Sequence, residues 1–190
     1  MPMTSSNDEV QIREQRLELA GGTVAFDDLG GDGSPVVMLP GAGDTRAEYR
    51  FLAPELAAGG VRAVTADLRG HGGSSAGWPS YGMVESAGDL VALLEHLDAG
   101  PTTVVATSFS PTAALWAAAD RPDLVARLVL ISAHLDAPPI WERLPLGLAM
   151  RGPLAGKLWA SQFRKWHPGA PPADLDEQCD LLAAMLGDTQ

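Results

Sequence analysis

The sequence predicts an α/β domain, a mostly parallel sheet with helices on both faces. Three observations carry that prediction. From residue 35 to residue 131, short β-branched or apolar runs alternate with stretches of helical spacing, the order that builds parallel sheets. Within residues 102–120 a strand-like run passes into an alanine-rich helical run without a linker, and Ser108 stands at the join. The segment before Pro35 reads differently, as an antiparallel hairpin.

Residues 1–13 are polar and acidic and read as a flexible tail. In the hairpin, Leu17 and Leu19 alternate with polar residues, Gly21-Gly22 supplies the turn, and Val24 and Phe26 alternate again. Residues 35–39 form a continuous apolar run, the mark of a strand buried on both faces. Tyr49, Leu52 and Leu56 fall on one helical face, residues 61–66 read as a strand, and Val84, Ala87, Val91, Leu94 and Leu97 line the next helix. After the Ser108 unit, residues 128–131 make one more strand. Between residues 140 and 167 the balance turns basic: Arg143, Arg151, Lys157, Arg164 and Lys165 face the single acid Glu142. A hinge at 167–172 leads to a last helix with Leu175, Cys179, Leu182 and Leu186 on one face, and Gly187 is placed to end it.

A chain of 190 residues with 46% apolar content is large enough for one domain with a true core. A net charge of −11 disfavours nucleic acid as a partner, because phosphate contacts need a basic face. The single cysteine, Cys179, excludes an internal disulfide. No run approaches the apolar length of a membrane span, and the first residues do not resemble a signal peptide. These features lead us to expect a cytoplasmic protein without stable membrane insertion. The basic stretch reads best as side chains snorkelling on an outer surface.

In such a sheet the binding site lies at the carboxyl ends of the strands, where three loops emerge. The first, at 39–44, is rich in glycine. A dinucleotide fingerprint starting at Gly41 would need a third glycine where Arg46 stands, which disfavours a nucleotide. The second, at 67–75, reads Asp-Leu-Arg-Gly-His-Gly-Gly-Ser-Ser, and the third opens with Ser132-Ala133-His134-Leu135-Asp136. At the strand-to-helix join, Ala106-Thr107-Ser108-Phe109-Ser110 places a serine where its hydroxyl can stand above the sheet beside the free N–H groups of the helix start. That geometry suits a nucleophile. The same serine could instead cap its own helix.

Taken in order, the glycine loop, the Asp67 to Ser74 segment and the Ser108 turn resemble the α/β-hydrolase family over residues 15 to about 136. The resemblance has departures: Ala106 and Ser110 stand where the nucleophile elbow has glycines, and Pro40-Gly41 replaces a His-Gly pair. It implies a hydrolase core over residues 14–136 and a helical cap over 137–190. It further implies Ser108 as nucleophile, Ala42 and Phe109 as the N–H donors of an oxyanion hole, and Asp136 as an acid that could orient a base. Gly41, His134 and Trp141 would then lie around the substrate, whereas His71 would be architectural.

In the family the base is a histidine after the final strand, and this sequence holds no residue at that position. The chain is therefore expected to stop inside the cap, before the last two strands, with impaired activity and with the strand at 128–131 as an exposed edge open to self-association. The implied reaction is hydrolysis of an ester, amide or thioester through an acyl-enzyme on Ser108. The partner is then a small molecule with an acyl group, and no metal or organic cofactor is implied. A serine rather than an aspartate speaks against dehalogenase or epoxide-hydrolase chemistry, which relatives perform with a carboxylate. The alternative is a binding protein that keeps the fold without a working base.

Overall fold

A computed structural model describes residues 13–135, 154–169 and 171–187. Six strands form one sheet in the order β1-β2-β4-β3-β5-β6. Here β1 is Arg13–Leu19, β2 Gly22–Asp28, β3 Val36–Leu39, β4 Ala63–Ala66, β5 Thr102–Thr107 and β6 Val125–Ile131. β1 and β2 are the expected hairpin, with Leu17 opposite Val24, and β2 runs antiparallel to β4. β4, β3, β5 and β6 are parallel neighbours. Their carboxyl ends therefore meet on one side of the molecule.

The continuous apolar strands serve two cores at once, because successive side chains point to opposite faces. Val37, Leu39, Val104 and Ala106 face one layer of helices, α2 (Met83–Leu97) and α3 (Ser110–Asp120). Met38 and Val105 face the other, where Tyr49, Ala53 and Leu56 cover them from a 3₁₀ turn (Arg46–Tyr49) and α1 (Leu52–Ala58). Ala113, Ala114 and Ala117 of α3 are fully buried. Such small side chains let the helix that follows Ser108 lie close against the sheet.

Two helical faces differ from the sequence prediction. Leu52 is exposed, because the 3₁₀ turn ends at Tyr49 and the chain bends before α1 begins, so Ala53 rather than Leu52 turns inward. Val84 is exposed as well; α2 buries Ala87, Leu90, Leu93, Leu94 and Leu97, a face rotated away from its first turn. β6 is bonded to β5 alone among the described residues, and Val129 and Ile131 are 46% and 40% exposed.

Beyond the sheet, α4 (Ala155–Lys165) and α5 (Leu175–Gly187) pack on each other. They meet closely at Gly156, where a β-carbon would meet the Ala183 carbonyl oxygen at 2.1 Å. Leu175, Cys179 and Leu182 are buried as their spacing predicted. Arg50 forms an ion pair with Asp174 just before α5, which ties this helical pair to the sheet domain. None of the described helices is long and apolar enough to cross a membrane.

Candidate active site

Ser108 leaves β5 with φ +63°, a left-handed conformation that is uncommon for a residue with a side chain. Two backbone bonds hold it there. Its N–H donates to the Ile131 carbonyl at 2.9 Å, and its carbonyl accepts the His134 N–H at 2.7 Å. The turn is thus laced to the end of β6, where Ser132 is also left-handed, at φ +48°. The Ser108 side chain is half-buried, makes no cap bond to α3, and has no hydrogen-bond partner for its hydroxyl among the described residues.

The two residues standing in place of the usual glycines are both fully buried. Ala106 fits inside the sheet layer, and Ser110 donates its hydroxyl to the Pro40 carbonyl. That bond joins the start of α3 to the loop after β3 and gives the larger residue a positive role. Gly41 closes the gap beneath Ser108: a β-carbon there would stand 3.2 Å from Ser108 Cβ and 3.7 Å from its Oγ. Its own N–H donates to Glu48 Oε2 at 2.8 Å, so it faces the protein rather than a substrate.

The same loop is gripped at Gly43 from two sides. The Gly43 N–H donates to His71 Nε2 at 3.0 Å, and its carbonyl accepts the Trp159 indole N–H at 2.7 Å. His71 Nδ1 lies 3.0 Å from the Arg69 carbonyl, so it carries the proton and leaves Nε2 as acceptor. Its placement is architectural. Between these anchors the N–H groups of Ala42 and Phe109 donate to no acceptor among the described residues.

Beneath the loops, Asp67 is buried and accepts from the N–H groups of Arg46 (2.7 Å) and Gly73 (2.8 Å) and from the Arg46 guanidinium. Arg46, at the position that argued against a nucleotide, also reaches Asp27 at 2.8 Å. Arg69 makes a bidentate pair with Asp89 (2.8 and 2.7 Å) and donates to the carbonyls of Ser80 and Glu85. The segment resembling the family's second loop is a fastening.

Burial raises two carboxyl groups next to the glycine loop. Asp44 is pushed up to about 6, with the Thr45 N–H working in the opposite direction. Burial likewise raises Glu48, and the Gly41 N–H and the Thr107 hydroxyl partly counter it. The Tyr49 phenol, also raised by burial, bridges the Leu39 carbonyl (2.8 Å) and the Thr107 hydroxyl (2.7 Å).

His134 stacks on the Phe109 ring, 5.1 Å between centroids, and no histidine nitrogen bonds to Ser108 Oγ among the described residues. Asp136 and Trp141 lie outside the described residues. Nothing in the sequence singled out Glu48, and Trp159 was marked only as one of the aromatic residues of the basic segment. The only signal for Glu48 was an acid seven residues after Gly41, too common a pattern to single out. Among the described residues, no cluster of His, Cys, Asp and Glu is arranged to hold a metal.

Residues 34–169 match the family model for the alpha/beta hydrolase fold, and the chain belongs to that family. It is 34% identical over 142 residues to the magnesium-chelatase 30 kDa subunit of Rhodobacter capsulatus, covering 70% of this chain and 49% of that protein. It is 32% identical over 167 residues to epoxide hydrolase B of Mycobacterium tuberculosis, covering 82% and 46%. The chain thus spans about half the length of these relatives. Its fold superposes on the crystal structure of an epoxide hydrolase from Vigna radiata with a TM-score of 0.74 at 21% identity, covering 94% of this chain and 68% of that one.

Proposed function

We propose that this chain carries the nucleophile and oxyanion hole of a serine hydrolase acting on a small ester, amide or thioester, with the cytoplasm as its compartment. The supporting observation is the left-handed Ser108, whose hydroxyl, like the N–H groups of Ala42 and Phe109 in the adjoining loop and helix start, has no partner among the described residues. Ser108 Oγ attacks the substrate carbonyl carbon and gives its proton to a base. The oxyanion that forms is held by the two N–H groups, and the leaving group departs with a proton to give the acyl-enzyme. Water then cleaves the acyl ester and releases the acid. Relatives named for epoxide hydrolysis and haloalkane dehalogenation share the fold, but a serine nucleophile directs the chemistry to acyl transfer.

All four histidines of the sequence are described and none bonds to Ser108 Oγ among the described residues, so the base stays unassigned, with Asp136 as a candidate for orienting it. A second reading, a small-molecule binding protein, gains weight from that gap and from similarity to a chelatase subunit. A fluorophosphonate probe separates the two. Covalent labelling that is lost in Ser108→Ala supports the hydrolase, whereas a wild-type chain that stays unlabelled supports the binding protein.

A further inference from the structure

Glu48 is a half-buried acid that acyl transfer by Ser108 leaves without a task. It stands in the 3₁₀ turn under the glycine loop, and its Oε2 accepts the Gly41 N–H at 2.8 Å. Among the described residues it pairs with no cation: the nearby Arg50 is bonded to Asp174 and Arg46 to Asp27 and Asp67. A β-carbon built on Gly41 would lie 3.7 Å from Ser108 Oγ and 3.9 Å from Glu48 Oε2. Gly41 is therefore a thin wall between the nucleophile and this carboxylate.

We infer that Glu48 is a positioning residue for the oxyanion loop and that its charge turns the site away from acyl groups bearing a carboxylate, toward uncharged or cationic ones. The inference rests on the acyl-transfer reading of Ser108. An acceptor fixed on the Gly41 N–H orients the Pro40–Gly41 peptide, and with it the Ala42 N–H one residue further on. The other anchor, His71, holds the far side of Ala42 through Gly43. The carboxylate also lies across Gly41 from the nucleophile, and the same loop carries a second acid, Asp44. A substrate that brings its own anion meets further repulsion, on the order of tenfold in rate for unit charges at this range in a partly solvated site.

Glutamine keeps an acceptor for Gly41 and removes the charge, whereas alanine removes both. The test compares the full chain with Glu48→Gln and Glu48→Ala, using a neutral alkyl fluorophosphonate, p-nitrophenyl butyrate and p-nitrophenyl hydrogen succinate, together with amide exchange at Gly41. Expected is labelling on the order of tenfold slower in E48A and at least as fast as wild type in E48Q. The succinate-to-butyrate rate ratio should rise about tenfold in E48Q, and the Gly41 amide should lose protection in E48A alone. Equal rates and ratios in all three proteins, with Gly41 protected throughout, would overturn the inference. A wild-type chain that never labels would refute the nucleophile reading instead. Gly41 exchange then decides the positioning role by itself: loss of protection in E48A supports it, and retained protection overturns it.

Discussion

The two flanks of Ser108 are built in opposite ways. On the side of β3 and β4, every approach to the glycine loop is fastened by a side chain: Ser110 on Pro40, Glu48 on Gly41, His71 and Trp159 on Gly43, with Asp67 and Arg69 beneath. On the side of β6, among the described residues, the turn is held by two backbone bonds and the His134–Phe109 stack, and Val129, Leu130 and Ile131 at the end of the strand are exposed. A strained residue persists only where its surroundings over-determine it. Here one flank supplies that constraint through side chains, so damage to the two flanks should have very different consequences.

The fastened flank should be the more costly to break. Arg69→Met would leave the Asp89 carboxylate and the Ser80 and Glu85 carbonyls without their donor in a nearly dry site, and would lose the guanidinium stacked 4.4 Å over Trp78. Removing one partner of a buried ion pair costs about 3–5 kcal/mol, and we expect a loss in that range by urea denaturation. A loss below about 1 kcal/mol would mean that the second loop is not a fastening.

Next in size is a gain. Asp44 ionises near 3.8 when unfolded and near 6 in the fold, because burial raises it. Below about pH 3 both states hold the proton and the group has no effect. Between pH 4 and 6 the unfolded chain releases it first, so stability falls as pH rises, and above pH 6 a penalty of about 2–3 kcal/mol is complete. Asn keeps an acceptor for the Thr45 N–H without the charge. Asp44→Asn should therefore raise the urea midpoint at pH 7.5 and leave it unchanged at pH 3. An equal gain at both pH values would assign the effect to something other than ionisation.

The strain at Ser108 should appear as a reversal of the usual order of small residues. At ordinary φ, glycine is less stable than alanine by about 0.5–1 kcal/mol, but at φ +63° the β-carbon is the liability. Ser108→Gly is expected to exceed Ser108→Ala in stability by about 1 kcal/mol, with neither variant labelled by a fluorophosphonate. If alanine proved the more stable, the residue would not be held in this conformation in solution.

Much of the flanking architecture was legible in the sequence, because it depends on periodicity. Alternating apolar runs placed β3, β4, β5 and α2, and the absence of a linker before Ser108 placed the turn. The helical faces at Leu52 and Val84 were misplaced for one reason: a local bend or a frayed first turn rotates a face without changing composition. The fastenings to Glu48 and Trp159 left no sequence signal, since they join residues 7 and 116 positions apart through backbone atoms that every residue carries.

The smallest effect belongs to the open flank. Val129 lies opposite Val105 in the sheet register, and the two have the same composition and strand type, but Val105 is 6% exposed and Val129 is 46% exposed. A charged side chain at Val129 need not be desolvated, and the backbone bond from Ser108 is made at Ile131, two residues away. Val129→Lys should therefore change stability by no more than about 0.5 kcal/mol, whereas Val105→Lys should unfold the chain. A flat, uncharged edge such as Val129, Leu130 and Ile131 invites pairing with another strand, and a lysine there is the device natural sheets use against it. Sedimentation of the wild-type chain is expected to show self-association that V129K reduces. A cost above about 2 kcal/mol for V129K would mean that this strand is covered in solution, and that the contrast between the two flanks of Ser108 is not real.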